Sequence, residues 1–320
     1  MNISITNECN RRCEYCFQKS WYLSNSSREK KEMSLDTIES ILDMMEDKKH
    51  FKVMGGEPLL YSDIFGFLDL VRKKRKEVTF ISNISIDTDK FKYIIEEYSD
   101  VISGWLINTD YPDSHKELFI RNFKLIDMNN SSLSTTLLPN TKDIITSAHR
   151  LKELFTFIDN KDFIKVRISP MAPNHVLNGF YNYSLDIIKF LEILWEDGMC
   201  KVSFDCPLNA CEIHPELLNM FDNYKQYIEY KNNQCRGSGP FDILVDNSVI
   251  YCSSTYDTIR LDNIFNYKTI NEAKEDMYIQ WKNYWKSNNV SCEYKTCEFF
   301  NPVYCMGLCP AKNTLKLRSL

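Results

Sequence analysis

The first two-thirds of this chain alternate apolar, strand-like runs with stretches of helical periodicity. Six such pairs follow one another before residue 200, and no long structureless insert separates them. The apolar runs are MNISIT, FKVM, EVTFISN, VISGWLIN, SSLSTTLL and FIKVRIS. Regular alternation of this kind predicts a parallel β-sheet covered by helices. Because six units of one orientation suit an open barrel better than a doubly wound sheet, we predict an α/β fold, a partial (β/α)6 TIM-like barrel.

Polar or turn-forming residues follow the predicted strands directly. A cysteine-rich loop follows the first strand, the tetrapeptide GGEP follows the second, and the dipeptides SN and NT follow the third and fourth. In parallel barrels the carboxyl ends of the strands carry the chemistry, so we expect these residues to lie together. The general polarity of turns explains the asparagines, but it does not explain the cysteines or the glutamate.

Charge and hydropathy exclude several classes of function. The net charge of -5 argues against a protein that binds nucleic acid by neutralising phosphates. The basic run at 72–76 closes a predicted helix, where positive charge suits the helix dipole. The N-terminus lacks the basic and apolar regions of a signal peptide, and no run approaches the ~18 apolar residues of a spanning helix. We therefore expect a cytoplasmic protein without a membrane or nucleic-acid partner.

The chain contains 12 cysteines, which in the cytoplasm indicate metal binding rather than disulfides. Cys9, Cys13 and Cys16 have the spacing C-x3-C-x2-C directly after the first strand. Thiolates select iron–sulfur clusters, zinc or copper(I), but structural zinc requires four ligands, and the histidine nearest in sequence is His50. Three cysteines holding a cubane cluster would leave one iron open for a small-molecule ligand.

This cysteine motif, with Tyr15 and Phe17 on either side of its last cysteine, resembles that of the radical S-adenosylmethionine (radical SAM) enzymes. The resemblance implies that Cys9, Cys13 and Cys16 hold a [4Fe–4S] cluster whose open iron is chelated by the amino and carboxylate groups of S-adenosylmethionine. One electron breaks the sulfonium bond, and a 5'-deoxyadenosyl radical then abstracts a substrate hydrogen. In cofactor chemistry of this kind the protein positions the cofactor against the substrate and excludes water.

The GGEP turn strengthens the resemblance, because the family has a glycine-rich motif at the end of its second strand that holds the methionine amino group. The turn consists of Gly55, Gly56, Glu57 and Pro58. Two glycines permit close backbone approach, and the carboxylate of Glu57 can pair with an ammonium group.

Further candidates follow from the positions that relatives use. Ser82 and Asn83 end the third strand, where the family places polar groups near the ribose, and Asn108 and Asp110 end the fourth, in a ribose and substrate region. Arg167 lies in the sixth strand, where a cation could meet a carboxylate. An ordinary ion pair explains Arg167 better, because an alternating strand can point its side chain elsewhere.

The last third of the chain is rich in cysteine and poor in regular periodicity, as expected of a domain that needs covalent bonds or bound metal to stabilise its fold. Its cysteines are Cys200, Cys206, Cys211, Cys235, Cys252, Cys292, Cys297, Cys305 and Cys309. A hairpin is predicted at FDILVDNSVIYC, with Asp246 and Asn247 at its turn, and a helix at TINEAKEDMYIQWKNYW. The spacing C-x4-C-x7-C-x3-C and the ending CMGLCPA resemble the auxiliary-cluster extension called SPASM, or its shorter twitch form. We therefore predict a radical SAM barrel at 1–200 and a small cysteine-rich C-terminal domain at 201–320.

The resemblance implies one or two auxiliary [4Fe–4S] clusters. One would be held by Cys235, Cys252 and Cys309 with Cys206 or Cys211, and the other by Cys292, Cys297 and Cys305 with a fourth ligand from elsewhere. The two inner gaps are longer than the family's, and no cysteine follows Cys309. A single cluster with several free thiols, or a zinc ion in the 292–309 group, remains an alternative. Cys200 is expected to be a buried small residue.

Relatives with this extension mostly modify peptides or proteins, so we expect a radical SAM peptide maturase that forms a thioether, carbon–carbon or ether crosslink. One alternative is formylglycine formation, as in anaerobic sulfatase maturases, with Asp110 or Asp205 as base. A small-molecule radical enzyme and a non-catalytic metal-binding module are the others. The expected partners are a precursor peptide and an electron donor such as flavodoxin or ferredoxin. Because the cysteine loop begins at residue 9, a separate leader-recognition protein could present the peptide.

Overall fold

The structure, a computed structural model, describes residues 1–13, 15–16, 31–137, 141–158, 164–170, 180–196, 198, 200–204, 215–229, 241–252 and 259–287. The chain divides into two compact units. The first comprises residues 1–131 and 239–284, and the second comprises residues 132–238 and 285–320. The predicted domain boundary between residues 200 and 201 stays a prediction.

The described strands are β1 (Asn2–Thr6), β2 (His50–Gly55), β3 (Glu77–Ser82), β4 (Ile102–Asn108), β5 (Ser132–Leu137), β6 (Lys165–Pro170), β7 (Lys201–Phe204), β8 (Ile228–Glu229), β9 (Asp242–Ile243), β10 (Val249–Ile250) and β11 (Arg260–Leu261). The described α-helices are α1 (Leu35–Asp43), α2 (Ile64–Lys73), α3 (Thr88–Glu97), α4 (Lys116–Phe123), α5 (Thr141–Phe155), α6 (Phe180–Trp195), α7 (Pro215–Asn223) and α8 (Ile270–Ser287). None of the helices in these ranges combines the length and apolar character that a membrane crossing requires.

The sheet of the first unit has the strand order β11-β10-β9-β1-β2-β3-β4. Strands β1 to β4 pair in parallel and in sequence order. On the other side of β1, β9 also pairs in parallel, with Ile3 opposite Ile243. Strands β10 and β11 then extend the sheet in antiparallel fashion. The hairpin predicted around Asp246 and Asn247 therefore forms, and it lies in the same sheet as β1.

The second unit has its own run of parallel strands, in the order β5-β6-β7-β8. Two helices of this unit, α5 and α6, follow β5 and β6 in the chain. With the four strand–helix pairs of the first unit, this makes six successive pairs. The predicted α/β fold with a parallel sheet is confirmed.

Side-chain caps mark where the first three helices of the first unit begin. Ser34 accepts a hydrogen bond from the backbone N–H of Thr37, as the sequence predicts for α1. Asp63 caps α2 and Asp87 caps α3 in the same way. Each cap satisfies a backbone donor that the first helical turn leaves without a partner. Helices α2 and α3 consequently start shortly after the ends of β2 and β3, which leaves short loops at these two strand ends.

Aromatic side chains fill the core of the first unit between its helices and strands. The ring of Phe80 in β3 lies 6.4 Å edge-on from Phe67 of α2 and stacks at 4.9 Å on Trp105 of β4. Phe67 and Phe80 are fully buried. Burial of such a side chain contributes roughly 1.5–3 kcal/mol, so these contacts hold the strands and their carboxyl ends in place.

Candidate functional site

The two glycines of the GGEP turn lie against the start of the cysteine loop. The N–H of Gly56 donates to the carbonyl of Thr6 and the N–H of Glu57 donates to the carbonyl of Glu8, both at 2.8 Å. A Cβ on Gly55 would lie 2.2 Å from the Thr6 oxygen, and one on Gly56 would lie 2.2 Å from the Glu8 oxygen. Because no side chain fits at these distances, only glycine lets the end of β2 approach the cysteine loop so closely.

The loop after β1 carries Cys9, Cys13 and Cys16, none of which forms a disulfide. The N–H of Arg11 donates to the sulfur of Cys9 at 3.4 Å, and the N–H of Cys16 donates to the carbonyl of Cys13 at 3.2 Å. Cys9 is exposed as a residue, yet protein atoms crowd its sulfur. This loss of water, with the negative charge of Glu57, raises the pKa of the Cys9 thiol to about 11. Metal binding would therefore displace a proton from this sulfur.

The carboxylate of Glu57 has no exposed surface and connects the ends of β2 and β3. Its Oε1 accepts from the hydroxyl of Ser82 at 2.7 Å and from the N–H of Leu59 at 3.1 Å, and its Oε2 accepts from the N–H of Asn83 at 2.7 Å. Burial raises the pKa of Glu57, while these three hydrogen bonds oppose that shift. Glu57 also caps the 3-10 helix Pro58–Leu60. Its pairing with an ammonium group stays a prediction.

Residues of the cysteine loop also bind the turn after β3. The amide of Asn83 donates to the side-chain oxygen of Asn10 at 3.0 Å, and the amide of Asn10 donates to the carbonyl of Ser85. The turn contains Ile84 with φ of 49°, a left-handed conformation that a β-branched side chain rarely adopts and that costs on the order of 1–3 kcal/mol. The buried amide of Asn122 in α4 supports this conformation by donating to the carbonyl of Ile84 at 2.7 Å.

Arg11 lies inside this site although its sequence context gave no sign of it. The side chain is 8% exposed, and its Nη2 donates to the carbonyl of Asn83 at 3.0 Å and to the hydroxyl of Ser85 at 2.6 Å. Its Nε and Nη1 have no hydrogen-bond partner among the described residues. The adjacent Arg12 is exposed. Two neighbouring arginines in a polar loop look alike in sequence, so only the folded structure distinguishes them.

Two further predicted site residues approach one another from the cysteine loop and the end of β4. Burial, and then the nearby charges of Asp110 and Cys13, raise the pKa of the Tyr15 phenol. The N–H of Asp110 donates to the side chain of Asn108 at 2.9 Å, which holds the loop after β4 in shape. The structure therefore brings Tyr15, Asp110 and the cysteine loop into one neighbourhood.

Other predicted residues belong to the second unit, follow β10, or lie outside the described ranges. Arg167 is half-buried in β6 of the second unit, opposite Ser134 in register. Cys252 is half-buried just after β10 in the first unit, and Cys200 is buried, as predicted. Burial raises the pKa of the Cys200 thiol to about 12. The residues outside the described ranges are Phe17, Asp205, Cys206, Cys211, Cys235, Cys292, Cys297, Cys305 and Cys309.

The cysteine loop has a donor set that suits an iron–sulfur cluster. Among the residues described, no group of three His, Cys, Asp or Glu side chains is arranged to hold one ion. The thiolates of an iron–sulfur cluster bind different irons, so their sulfurs need not converge on one point. The loop offers three thiols outside any disulfide, which are soft ligands, and a buried guanidinium whose unpaired N–H groups suit an anionic group. The residues present therefore fit such a cluster.

Comparison with known proteins finds one matching family model and several similar solved structures. Residues 3–125 match the family model described as the Radical SAM superfamily, whereas no curated protein matches the chain in sequence. The crystal structure of Streptococcus suis SuiB bound to S-adenosylmethionine is similar over 98% of this chain and 73% of that chain, with 16% identity and a TM-score of 0.59. SuiB bound to precursor peptide SuiA covers 98% of this chain and 72% of that chain, with 15% identity and a TM-score of 0.61.

A third solved structure, native anSMEcpe with bound AdoMet and Cp18Cys peptide, is similar over 98% of this chain and 94% of that chain. Its identity is 18% and its TM-score is 0.54. At such identities the likeness shows a shared fold. The residues that match the family model span the first four strand–helix pairs of this chain.

Proposed function

We propose that this protein is a peptide-modifying radical SAM enzyme. Cys9, Cys13 and Cys16 hold a [4Fe–4S] cluster that S-adenosylmethionine joins at its open iron. The substrate is a peptide or protein side chain, and the product is a matured ribosomal peptide with a thioether, carbon–carbon or ether crosslink. A cluster bound there supplies the electron that cleaves S-adenosylmethionine into methionine and the 5'-deoxyadenosyl radical, which takes a substrate hydrogen.

One observation carries the proposal: the backbone of Gly56 and Glu57 is hydrogen-bonded to the backbone of Thr6 and Glu8. The GGEP turn and the cysteine motif are remote in sequence, yet the fold joins them directly. A ligand that binds the cluster through its methionine end must meet both groups at once. The clash that a Cβ would produce at Gly55 and Gly56 explains why glycine occupies both positions.

The chain's own residues then hold this site in shape. Glu57 fixes the end of β2 to Ser82 and Asn83 of the β3 end, and Asn10 fixes the cysteine loop to the same turn. With these connections made before the ligand binds, the free energy of binding is not used to order the loops. Tyr15 and Asp110 border the same neighbourhood and are candidates to contact the ribose or the substrate.

A peptide substrate is supported by the complexes of the similar structures. SuiB was crystallised with precursor peptide SuiA, and the anSMEcpe structure has AdoMet and the Cp18Cys peptide bound. Both share the fold of this chain over 98% of its length. We propose that the cysteine-rich residues 201–320 form a SPASM- or twitch-like domain with one or two auxiliary [4Fe–4S] clusters, of which Cys252 is a ligand. An electron donor such as flavodoxin or ferredoxin would supply the reducing electron.

The test uses protein reconstituted with iron and sulfide under anaerobic conditions, then incubated with S-adenosylmethionine and dithionite. The proposal predicts 5'-deoxyadenosine, detected by chromatography with mass spectrometry, and its loss in Cys13→Ala. Cys200→Ala, which alters a buried thiol remote in sequence from the loop, is the matched control and should retain the product. Fully loaded protein that makes no 5'-deoxyadenosine would refute the radical reaction.

The substrate class is tested separately, with synthetic peptides encoded next to the gene. A crosslinking maturase removes two hydrogens from such a peptide, and tandem mass spectrometry locates the new bond. Formation of formylglycine at a serine or cysteine would identify the sulfatase-maturase alternative instead. Product that arises from a small molecule and from no peptide would exclude the peptide proposal while leaving the radical reaction in place.

A further inference from the structure

Arg11 is a buried cation within the cysteine loop. Its side chain is 8% exposed and lies between two of the three loop cysteines in sequence. In the part of the chain that the structure describes, no carboxylate forms an ion pair with it. Burying an unpaired charge is costly, so a fold that keeps this arrangement gains something from the charge.

The guanidinium is held rigidly on one side only. Nη2 uses both of its hydrogens, one on the carbonyl of Asn83 at 3.0 Å and one on the hydroxyl of Ser85 at 2.6 Å. The ring of Phe119 in α4 lies 5.9 Å from the guanidinium carbon. Within the described ranges the Nε and Nη1 hydrogens have no acceptor, although both atoms are buried. The neutral oxygens that bind Nη2 orient the charge without neutralising it.

The negative groups that act on Arg11 identify what would neutralise it. The N–H of Arg11 donates to the sulfur of Cys9 at 3.4 Å, and Cys13 follows Arg11 by two residues. Glu57 already accepts three hydrogen bonds from other residues and makes no ion pair with Arg11. Cysteines of this loop that bind a cluster as thiolates would therefore bring the principal negative charge next to this guanidinium.

We propose that Arg11 is a positioning residue that supplies a fixed positive charge to the cluster held by Cys9, Cys13 and Cys16 and thereby stabilises its reduced form. The inference rests on the proposed function. Reduction adds one electron from the external reductant and hence one negative charge, while Arg11 keeps its proton and transfers nothing. A buried positive charge favours the more negative state, because the surroundings screen it weakly. Arg11 thus raises the midpoint potential of the cluster toward that of the electron donor.

The experiment measures that potential on the full chain, reconstituted anaerobically and titrated with dithionite in the absence of S-adenosylmethionine. Electron paramagnetic resonance follows the reduced cluster, and the signal that disappears in Cys13→Ala identifies it. The variants are Arg11→Met, which removes the charge, Arg11→Lys, which keeps it, and Arg12→Met, the exposed neighbour as control. Iron and sulfide are counted for each protein.

We expect Arg11→Met to make reduction at least about tenfold less favourable, a fall of about 59 mV for one electron. The midpoint potential of Arg11→Lys should lie closer to that of the wild type, and the midpoint potential of Arg12→Met should equal that of the wild type. A residue that only held the loop would change iron content and thermal stability without this dependence on charge. Equal potentials in Arg11→Met and the wild type at equal iron content would overturn the proposal.

Two further outcomes are decided by the same series. Should Arg11→Met fail to take up iron, Arg11→Gln replaces it, since Gln keeps hydrogen-bond donors and lacks the charge. A Gln variant whose cluster has the same midpoint potential as that of the Lys variant overturns the proposal. A Gln variant with a lower midpoint potential supports it. Wild-type protein that gives no [4Fe–4S] signal in any preparation refutes the proposed function itself, which the Arg11 variants cannot do.

Discussion

The hydroxyl of Ser82, the last residue of β3, donates a 2.7 Å hydrogen bond to the carboxylate of Glu57, which follows β2 and has no exposed surface. The carboxylate accepts two more hydrogen bonds from the backbone of Leu59 and Asn83. One buried side chain therefore organises two adjacent strand ends. Because the backbone of Glu57 is also bound to Glu8, the position of the cysteine loop depends on the same residue.

Glu57→Gln should lower the free energy of unfolding by about 1–3 kcal/mol, the cost of a buried donor left without an acceptor. The glutamine amide has one oxygen, so its NH2 group must face either the N–H of Asn83 or the donors of Ser82 and Leu59. Urea denaturation under anaerobic conditions measures the change. Glu275→Gln, at an exposed position in α8, should stay within about 0.5 kcal/mol. Equal effects of the two variants would mean that Glu57 is held protonated by its burial.

Gly55→Ala should prevent assembly of the site, because the new Cβ would lie 2.2 Å from the carbonyl oxygen of Thr6. We expect lower iron content after reconstitution and at least about tenfold less 5'-deoxyadenosine, since the strand end and the cysteine loop must separate. Gly198→Ala is a matched control. Gly198 also has positive φ, at 127°, but a Cβ added there would meet no atom of the described residues within 4 Å.

The Gly198 variant carries the backbone cost of alanine at positive φ, roughly 1–2 kcal/mol, without the clash. It should bind iron and form 5'-deoxyadenosine as the wild type does. Loss of iron in both variants to the same extent would show that backbone strain, and not the approach of β2 to the loop, is responsible.

Local chemistry explains which parts of the fold the sequence could predict. Ser34 is the N-cap of α1 because its side chain can accept from the backbone N–H three residues later. Asp246 and Asn247 form the turn of a hairpin whose two strands are neighbours in sequence. The cysteine motif and the GGEP turn are likewise short and carry their chemistry within a few residues. Patterns of this range are visible in a single sequence.

Contacts between distant segments could not be predicted in this way. Asn2 pairs with Asp242 across 240 positions, and the carboxylate of Glu57 finds Asn83 26 positions later. The burial of Arg11 and the exposure of Arg12 depend on which side of the loop faces the turn after β3. Periodicity assigns a residue to a face only within a regular element, so it is silent about side chains in loops.

Asn122→Ala should destabilise the protein and weaken its site, because the amide of Asn122 donates to the carbonyls of both Ile84 and Ile86. Both carbonyls belong to the segment that follows β3, and Ile84 has the strained φ of 49°. We expect the free energy of unfolding to fall by about 1–3 kcal/mol. The dissociation constant for S-adenosylmethionine, measured by calorimetry on reconstituted protein, should rise severalfold.

Asn266→Ala, at an exposed position, is the control for loss of an asparagine. It should change neither quantity. An Asn122 variant that loses stability but keeps its affinity for S-adenosylmethionine would show that the turn after β3 retains its shape without the two hydrogen bonds.

Asp242 should make the stability of the protein depend on pH. It begins β9, is buried, and accepts a 2.6 Å hydrogen bond from the amide of Asn2 in β1. Burial raises the pKa of Asp242 from 3.8 to about 7, and the bond from Asn2 opposes the shift. Between these two values the folded protein keeps a proton that the unfolded chain releases. The free energy of unfolding therefore falls as pH rises across this window, by up to about 1.4 kcal/mol per pH unit.

Asp242→Asn removes the titrating group. Below the lower pKa the protonated Asp242 of the wild type contributes to the free energy of unfolding, and this contribution is lost by about pH 7. The variant lacks the contribution at every pH. Urea denaturation between about pH 4.5 and 8 should show the wild type losing stability relative to Asp242→Asn as the pH rises. Asp262→Asn, at an exposed position after β11, should follow the wild type throughout. If the free energies of unfolding of the wild type and Asp242→Asn changed in parallel with pH, Asp242 would be ionised in the folded protein over the whole range. The contact between β9 and β1 at Asp242 would then be accessible to water.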